Sequence, residues 1–597
     1  MDESLSQNSA TERAYLVFEP RRAISSIRSW ARRHAAELMC AGLLAGMSWQ
    51  MLAVISRKSI TIDEIVMIPA AYYHLVAGNF QLVNEHPPLS KIVSATPFLF
   101  IQPNEARPDQ ITAPPGSSNA KWAYHTSFWE NNRARFDSLS FWPRVPMIFL
   151  TVLLGLLIFR FARQLFGARA AVLAVALFSL EPTVLAHGRV VQTDVPAAFG
   201  YLLFFMALYR YWLAPSMRRA GWLGLAAAVA ILAKYSMLLV GVVLAFFFLV
   251  LLWRAVRAKQ RPTGVIIHAA SIALAILVLI NAAYFFKHRS LADADLQWLD
   301  ESFPANAALV TLAVRALSHL LPTEFVLGIF FQFWHNGVGH SAGLLGKYSQ
   351  TGWWYYFPAA FALKTTLPFL LLALASLGWG TYQWARNKDG RFLWLLGPFA
   401  LYTLFVLFSH IDIGVRYYLP AFPFLFVLGG VLLDKMLAWR RGRRAGALVA
   451  IMLVGWIAIE AWRAYPNHMS YMNQIASRAP HWWYLSDSNI EWGDDARGLV
   501  EFLRARGETS VGEAFLGGYF TMSYYGIDRI DALSPPASAR ARYLAIGASF
   551  LNGSTVPAGP PGSGRETDDQ RANFFEEYRH RTPEAIIGNS IYVFRVQ

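Results

Sequence analysis

The most constraining feature of this sequence is a series of long apolar segments separated by short polar and basic stretches. A helix needs about 20 mainly apolar residues to cross the roughly 30 Å hydrocarbon core of a membrane. Of the 597 residues, 55% are hydrophobic and only 15% are charged. Apolar segments of about this length lie at 35–55, 143–161, 168–187, 193–213, 220–234, 236–253, 263–284, 354–379, 392–409, 415–434 and 444–462. The sequence therefore predicts an all-α polytopic membrane domain with about eleven transmembrane helices.

The distribution of basic residues predicts how these helices are oriented. The net charge is +15, but Lys and Arg cluster in short loops between apolar segments, which indicates cytoplasmic loops and not a nucleic-acid surface. One orientation, with the basic N-terminus 1–34 in the cytoplasm, accommodates every cluster. The least secure boundary is Lys234-Tyr235, which alone separates the fifth and sixth segments. The clusters lie at 160–169, 210–219, 254–261, 386–391 and 435–444.

This orientation divides the chain into a transmembrane domain, 35–462, and an extracytoplasmic tail, 463–597. Three other stretches lie on the outer side: a first loop 57–142, a turn 187–193 and a second large loop 285–352. The tail is more highly charged and reads as a small α/β domain, with a helix at 494–506 and strands near 510–515, 542–547 and 590–595.

Both large outer loops contain helical patterns. In the first loop, 62–78 and 88–101 are predicted to be short helices lying at the membrane interface. The second loop has a helical pattern at 306–320 and an aromatic-rich stretch at 325–334. The expected aromatic anchors of the first loop are Tyr72, Tyr73, Phe80, Phe98 and Phe100.

Adjacent carboxylates, Asp63 and Glu64, directly follow the first apolar segment, and Glu85-His86-Pro87-Pro88-Leu89 comes about twenty residues later. Unpaired acids are expensive near lipid, and burial raises a carboxyl pKa toward the range useful for a base. The alternative is that both acids only cap and solvate the first turn of a surface helix.

A second polar cluster, His187-Gly188-Arg189 followed by Gln192-Thr193-Asp194, lies where one helix leaves the membrane and the next enters it. Arg144, Lys364 and Arg416 lie at the same outer ends of their helices. Each cation fits a snorkelling interfacial side chain, and Asp194 fits a helix cap. Cations on the outer face oppose the positive-inside trend, however, so together they indicate an anionic ligand.

Taken in order, these motifs resemble the GT-C type glycosyltransferases that use polyprenyl-phosphate sugars, in the branch of the protein O-mannosyltransferases and bacterial lipid A aminoarabinose transferases. The match is densest over 55–240. Segments 352–356 with Lys364, 414–420, 465–468 and 487–493 are similar to further family segments. The motifs that carry the resemblance are Asp63-Glu64, His86-Pro87-Pro88-Leu89 ahead of Lys91, Arg144, and His187-x-Arg189-x4-Asp194.

The resemblance implies inverting transfer of a sugar from a polyprenyl phosphate to a hydroxyl, on the extracytoplasmic face of a bacterial inner membrane. Asp63 is the implied general base, and Glu64 is implied to orient the site or the acceptor. Asp194 is implied to position the sugar or to hold Arg189 or His187. The implied contacts of the donor phosphate and sugar are Arg144, His187, Arg189, Lys364, Arg416 and His86.

Two departures from the family leave questions open. The aminoarabinose transferases have lysine where His86 stands, so His86 supplies no permanent charge. The inserted sugar-binding-like domain of the eukaryotic mannosyltransferases is also missing. A divalent metal held by Asp63, Glu85 or His86 stays possible, and no other cofactor is indicated. The single cysteine, Cys40, excludes an intrachain disulfide.

The acceptor is left open between a protein, a lipid and a glycan. Trp482, Trp483, Tyr484 and Trp492 in the tail are the kind of side chain that stacks on sugars, or they form a folded core. Two alternatives compete with the enzyme: a transporter or flippase of a lipid-linked sugar, and a membrane-anchored binding module. Transporters usually place charges at mid-membrane and show related halves, which this sequence lacks.

Overall fold

The computed structural model describes residues 33–105, 118–439, 443–534 and 541–596. Almost all of the predicted basic N-terminus, 1–34, lies outside these residues, and so do Arg440 and Arg441 of the last basic cluster.

The membrane part is helical, and each of the eleven predicted segments contains a helix. Two segments begin with a 3-10 turn, Tyr235–Leu238 and Val415–Ala421. The α-helices are Ala35–Ile55, Arg144–Phe166, Ala168–Leu180, Pro182–His187, Asp194–Leu213, Met217–Ala233, Leu239–Arg257, Thr263–Ala283, Tyr356–Lys364, Leu367–Asn387, Leu393–Val406, Phe422–Ala438 and Arg443–Ala464.

Six of the described helical stretches are long and apolar enough to cross a membrane, and others, such as Ala168–Leu180 and Leu393–Val406, are apolar but shorter. The chain is a multi-pass membrane protein, and the count of eleven spans stays a prediction. The fifth and sixth segments are separate helices, because Lys234 between them has an extended backbone.

Small residues let the central helices approach one another closely. A Cβ on Gly430 would lie 2.6 Å from the backbone nitrogen of Ala174, and a Cβ on Gly200 would lie 2.5 Å from the Cα of Ala230. Helices in lipid associate largely through packing and not through the hydrophobic effect, so such backbone contacts hold the bundle together. They fix the positions of the helices Ala168–Leu180 and Asp194–Leu213, and the second of these begins with Asp194 of the second polar cluster.

The described residues of the first outer loop, 57–105 and 118–142, pack mainly into the protein. The two predicted interfacial helices exist, as Ile62–Ala77 and as Leu89–Ala95 with Phe98–Ile101, and Ser118–Asn131 and Phe136–Phe141 follow them. Four of the five expected membrane anchors are core residues in this structure, and only Phe100 is exposed, at 88%. The prediction was wrong for the other four, which are Tyr72, Tyr73, Phe80 and Phe98. The reason is that an amphipathic pattern does not distinguish a protein core from a membrane surface.

The second outer loop contains the helices Asp293–Ser302, Ala307–Ser318 and Thr323–Val338. The second of these coincides with the predicted helical pattern, and the third contains the aromatic-rich stretch. A short antiparallel hairpin, β1 (Ala342–Leu344) and β2 (Lys347–Ser349), follows and makes an isolated bridge from Leu344 to Leu485 of the tail.

The tail contains one five-stranded mixed sheet. Its strands lie in the order β4 (Asp528–Asp531), β3 (Ser510–Ala514), β5 (Tyr543–Gly547), β7 (Ile591–Arg595) and β6 (Ala585–Ile587). Three strands coincide with predicted ones, and the two short edge strands were not predicted. The helices are His481–Tyr484, Ala496–Arg504, Gly518–Tyr524, Ala548–Asn552, Asp568–Asn573 and Glu576–Arg579.

Candidate active site

Glu64 is fully buried and connects its own helix to Arg144 and Val191 through hydrogen bonds. It occupies the third position of the helix Ile62–Ala77, in a capping box with Thr61. Its two carboxylate oxygens accept hydrogen bonds from Arg144 Nε at 2.8 Å and Nη2 at 2.5 Å, and Oε1 also accepts from the backbone N–H of Val191 at 2.9 Å. Glu64 is 0% exposed. This burial fits the predicted role of orienting the site better than it fits contact with an acceptor, and the role stays a prediction.

Asp63, one residue earlier, differs from Glu64 in that its carboxylate is partly exposed to solvent. Its side chain is 31% exposed, and its Oδ2 accepts a hydrogen bond from Gln192 Nε2 at 2.6 Å and lies 3.4 Å from Arg416 Nη1. Burial raises the pKa of Asp63 above its ordinary value, although Arg416 and Gln192 act against the rise.

The pKa of Glu64 shifts the other way. Burial raises it, but the ion pair with Arg144 and the hydrogen bonds from Arg144 and the backbone outweigh that effect, so the pKa of Glu64 lies below its ordinary value. Neighbouring carboxyls whose pKa values are pushed apart are typical of sites in which one carboxyl does proton chemistry and the other is held ionised. Asp63 is the carboxyl of this pair that suits a base.

Arg416 links the two acidic positions. Its Nη1 lies 3.3 Å from Asp194 Oδ2 as well as 3.4 Å from Asp63 Oδ2, and its Nε donates to Ser488 Oγ at 2.9 Å. The guanidinium also lies 4.2 Å from the ring centre of Trp492, which is a cation–π contact. Of the cations predicted to contact the donor, it alone lies between Asp63 and Asp194.

Lys234 was not predicted as a site residue. Its Nζ donates to Asp194 Oδ1 at 2.5 Å and lies 3.5 Å from the ring centre of Tyr417. Asp194 is therefore shared by two cations, Lys234 and Arg416. A signal was available, because a lysine that interrupts the apolar run 220–253 is costly unless it is paired or functional.

Three other predicted donor contacts are engaged by the protein itself. Arg144 bonds Glu64 and the carbonyl of Ser59, Arg189 Nη2 bonds Asp494 Oδ2 at 3.0 Å, and all of these guanidinium groups are buried. Lys364 Nζ donates to backbone carbonyls of the tail at Met469, at 2.7 Å, and at Asn489. The motifs did not reveal these long-range partners, and the phosphate contacts expected of the three side chains stay a prediction.

These partners show that the tail helps to build the site. Ser488 bonds Arg416, and Asn489 Oδ1 accepts the backbone N–H of Val415 at 2.9 Å. Gly414, with φ of 153°, permits this approach, since a Cβ at that position would lie 2.3 Å from Ser488 Oγ. The segment 487–494 thus contacts the membrane helices directly through its side chains, whereas the sequence suggested only a family-like motif.

The two predicted histidines differ in their surroundings. His187 is buried, with its ring centre 5.8 Å from that of Trp492. His86 is half-buried, and its backbone carbonyl accepts a hydrogen bond from Lys91 Nζ at 2.9 Å. Burial lowers the pKa of His86 to about 3, so its ring is neutral at physiological pH. Within the described ranges, no three His, Cys, Asp or Glu side chains are grouped to hold a metal ion.

The tail aromatics have separate roles. Trp492 is 1% exposed beneath Arg416, and the hydroxyl of Tyr484 accepts the backbone N–H groups of Arg478 and Ala479. Trp482 instead lines a separate cavity of about 350 Å³ with other residues of the tail. The core interpretation therefore fits Trp492 and Tyr484.

A largely apolar cavity of about 500 Å³ begins at Lys234. It runs between the helices Leu239–Arg257, Thr323–Val338 and Leu393–Val406. Its polar lining residues are Lys234, Tyr235, Ser236, Gln332, Asn336, Tyr402, Ser409 and Tyr417. Its apolar wall includes Leu238, Leu239, Val242, Ile329, Phe333, Phe357, Phe405, Val406, Phe408 and Ile411.

Residues 136–285 match the family model of the dolichyl-phosphate-mannose-protein mannosyltransferases. The family resemblance is confirmed over this segment. It covers about a quarter of the chain and contains Arg144, the second polar cluster and Lys234. A comparison with curated proteins finds no match.

Solved structures of several glycosyltransferases are similar at low identity. Cupriavidus metallidurans ArnT bound to undecaprenyl phosphate has 15% identity over 72% of this chain and 70% of its own, with a TM-score of 0.43. The Archaeoglobus fulgidus oligosaccharyltransferase in its apo form has 10% identity over 86% and 70%, with a TM-score of 0.46. The S. cerevisiae Pmt1-Pmt2 complex bound to the sugar donor has 14% identity over 42% and 33%, with a TM-score of 0.29.

Proposed function

We propose that this protein is a membrane glycosyltransferase that moves a sugar from a polyprenyl phosphate to a hydroxyl of an acceptor. One observation carries the proposal: Lys234 lines the apolar cavity and shares Asp194 with Arg416, and Arg416 Nη1 lies 3.4 Å from Asp63 Oδ2. A lipid groove, two cations and an accessible carboxylate thus lie in one continuous series.

This series matches the parts of the donor. The apolar wall suits a prenyl chain, since burying apolar surface is favourable at about 25 cal/mol per Å². The phosphate would lie beside Lys234 and Arg416, where a guanidinium and an ammonium stabilise its oxygens. Asp194 holds both cations in place and keeps them from being unpaired before the donor arrives. The anomeric carbon then lies toward Asp63.

The proposed reaction is a single displacement with inversion. The acceptor hydroxyl gives its proton to Asp63 as its oxygen bonds the anomeric carbon, and the bond from that carbon to the phosphate oxygen breaks. The electron pair leaves with the lipid phosphate, whose developing charge Arg416 and Lys234 stabilise. Glu64 and Arg144 hold the first turn of the helix Ile62–Ala77 so that Asp63 stays aimed at this point.

We assign the site to the extracytoplasmic face of a bacterial inner membrane. The basic loops predict this orientation, and the site lies at the opposite helix ends. In this assignment 35–462 is the catalytic membrane domain and 463–597 is an extracytoplasmic domain that supplies Ser488 and Trp492 to the site.

Transfer of a labelled sugar distinguishes the enzyme from a flippase. Purified protein in vesicles is supplied with polyprenyl-phosphate mannose or aminoarabinose and an extract of membrane glycans, lipids and proteins as acceptor. The proposal expects label in an acceptor and release of polyprenyl phosphate. Movement of intact donor across the vesicle membrane, with no label in any acceptor and no released lipid phosphate, would contradict it and favour the flippase.

A further inference from the structure

A second groove, on the outer side of the site, has walls from two distant parts of the chain. One wall is the first-loop helix Ser118–Asn131, and the other is the tail helix Gly518–Tyr524. The groove encloses about 480 Å³, which is within the roughly 300–1,000 Å³ range of small-molecule sites. Its lining residues are Ile62, Trp122, His125, Thr126, Glu130, Tyr519, Phe520, Ser523 and Tyr524.

The two walls are fixed to each other by polar contacts. Arg133 Nη2 donates to the carbonyl of Ser523 at 2.6 Å, and the hydroxyl of Tyr524 donates to Glu130 Oε1 at 3.0 Å. Tyr524 also stacks on Phe136, with ring centres 4.8 Å apart. The groove is therefore preformed, and a ligand does not have to assemble it.

The groove is lined by both aromatic rings and hydrogen-bonding side chains. The rings of Trp122 and Tyr519 lie 6.0 Å apart at 72°, and Tyr519 is 38% exposed. Thr126, Ser523 and the carboxylate of Glu130 lie among these rings and suit hydroxyl groups. This combination fits a sugar ring, whose faces are apolar and whose edges carry hydroxyls, better than it fits a lipid chain.

The position of the groove connects it with the reaction. Its lining includes Ile62, the residue before Asp63, and the backbone N–H of Ile62 is fixed by the carbonyl of Trp492 at 2.9 Å. The donor cavity has a different lining, beginning at Lys234. A molecule in the groove would therefore lie beside the first turn of the helix that carries Asp63 and outside the donor cavity.

From these observations we infer that the groove is an acceptor site for a carbohydrate, so that the sugar is added to a glycan. This inference rests on the proposed function and narrows its acceptor to one chemical class. Trp122 and Tyr519 hold the acceptor ring, and Glu130 and Ser523 bond its hydroxyls.

Saturation-transfer NMR on the full chain in nanodiscs tests this site without turnover. The probes are mannotriose, N,N′-diacetylchitobiose and a short serine- and threonine-containing peptide. We expect saturation of sugar ring protons, reduced roughly tenfold in Trp122→Ala and Tyr519→Ala, as is typical for aromatic anchors. Trp222→Ala, at an exposed tryptophan in another region, should keep the signal.

The contrary outcomes are distinct. The inference is overturned if neither sugar gives a signal, if both groove variants keep it, if Trp482→Ala removes it instead, or if only the peptide binds. Binding of undecaprenyl phosphate is measured on the same samples, because it reports on the donor cavity and on folding. A wild-type protein that binds the sugars but not undecaprenyl phosphate would contradict the proposed function and, with it, the acceptor role of the groove. It would leave a carbohydrate-binding groove without that role.

Discussion

Glu64 and Arg144 form a two-point ion pair in which neither side chain is exposed to solvent. The pair joins the first outer-loop helix to the helix Arg144–Phe166, and Val191 joins the second polar cluster to the same carboxylate. The position of Asp63 therefore depends on a buried charge network one residue away.

Removing one member of this pair should destabilise the protein. An uncompensated buried charge costs about 3–5 kcal/mol, so we expect Arg144→Ala and Glu64→Gln to lower the melting temperature clearly. Arg163→Ala, which breaks the exposed pair with Glu37, should cost less than about 1 kcal/mol. If Arg144→Ala kept the wild-type melting temperature and only bound the donor more weakly, the structural role would be contradicted and Arg144 would instead contact the donor phosphate.

Lys234 should act on the donor. Loss of a charge-assisted hydrogen bond of about 1.5–3 kcal/mol corresponds to roughly a 10- to 100-fold weaker interaction. We expect Lys234→Met to raise the KM for the polyprenyl-phosphate sugar and the Kd for undecaprenyl phosphate by this factor, with Lys234→Arg recovering part of the loss. The exposed Lys347→Met is the matched control. An unaltered Kd for undecaprenyl phosphate in Lys234→Met would contradict the proposal that this cavity binds the donor.

The raised pKa of Asp63 predicts the acid limb of the pH profile. A base must be deprotonated, so kcat/KM should fall as pH drops through the raised pKa, at a higher pH than the ordinary aspartate value of about 3.9. A constant kcat/KM down to pH 4, in protein that stays folded, would exclude this role.

The two acids should also affect stability in opposite directions. Because folding raises the pKa of Asp63, its ionisation opposes folding once pH exceeds the ordinary value, and Asp63→Asn should be neutral or stabilising at pH 7. The lowered pKa of Glu64 stabilises the folded state above the ordinary value, and this stabilisation is lost as pH falls through the lowered pKa. Melting temperatures of Asp63→Asn and Glu64→Gln across pH test both signs, and a less stable Asp63→Asn at pH 7 would contradict the first.

The proposed orientation is tested by cysteine labelling. In a Cys40→Ser background, Asp528→Cys in the tail and Ala258→Cys in a basic loop both place a thiol at an exposed position. An impermeant maleimide added to intact cells should label position 528 and reach position 258 only after permeabilisation. The reverse labelling pattern would place the site on the cytoplasmic side of the membrane and contradict the proposed orientation.

Much of this fold could be predicted because its determinants are local. Long apolar runs predict helices, short strand-like runs predict β3, β5 and β7, and Asp63 with Glu64 fits the first turn of a helix. The partners of the cations were not predictable, since Arg189 and Asp494 lie 305 residues apart and no local pattern joins them. Lys234 did leave a local signal, as a lysine within an apolar run, but its partners Asp194 and Tyr417 are distant in sequence and could not be predicted.

The most direct test of the central claim is the rate of labelled sugar transfer by Asp63→Asn. This change keeps the size of the side chain and removes the proton acceptor, and a general base typically contributes 10²–10⁴-fold to a rate. We predict at least a roughly hundredfold loss of kcat, with undecaprenyl phosphate binding kept, while Asp528→Asn at an exposed strand position transfers like the wild type. Transfer by Asp63→Asn at the wild-type rate would contradict the account.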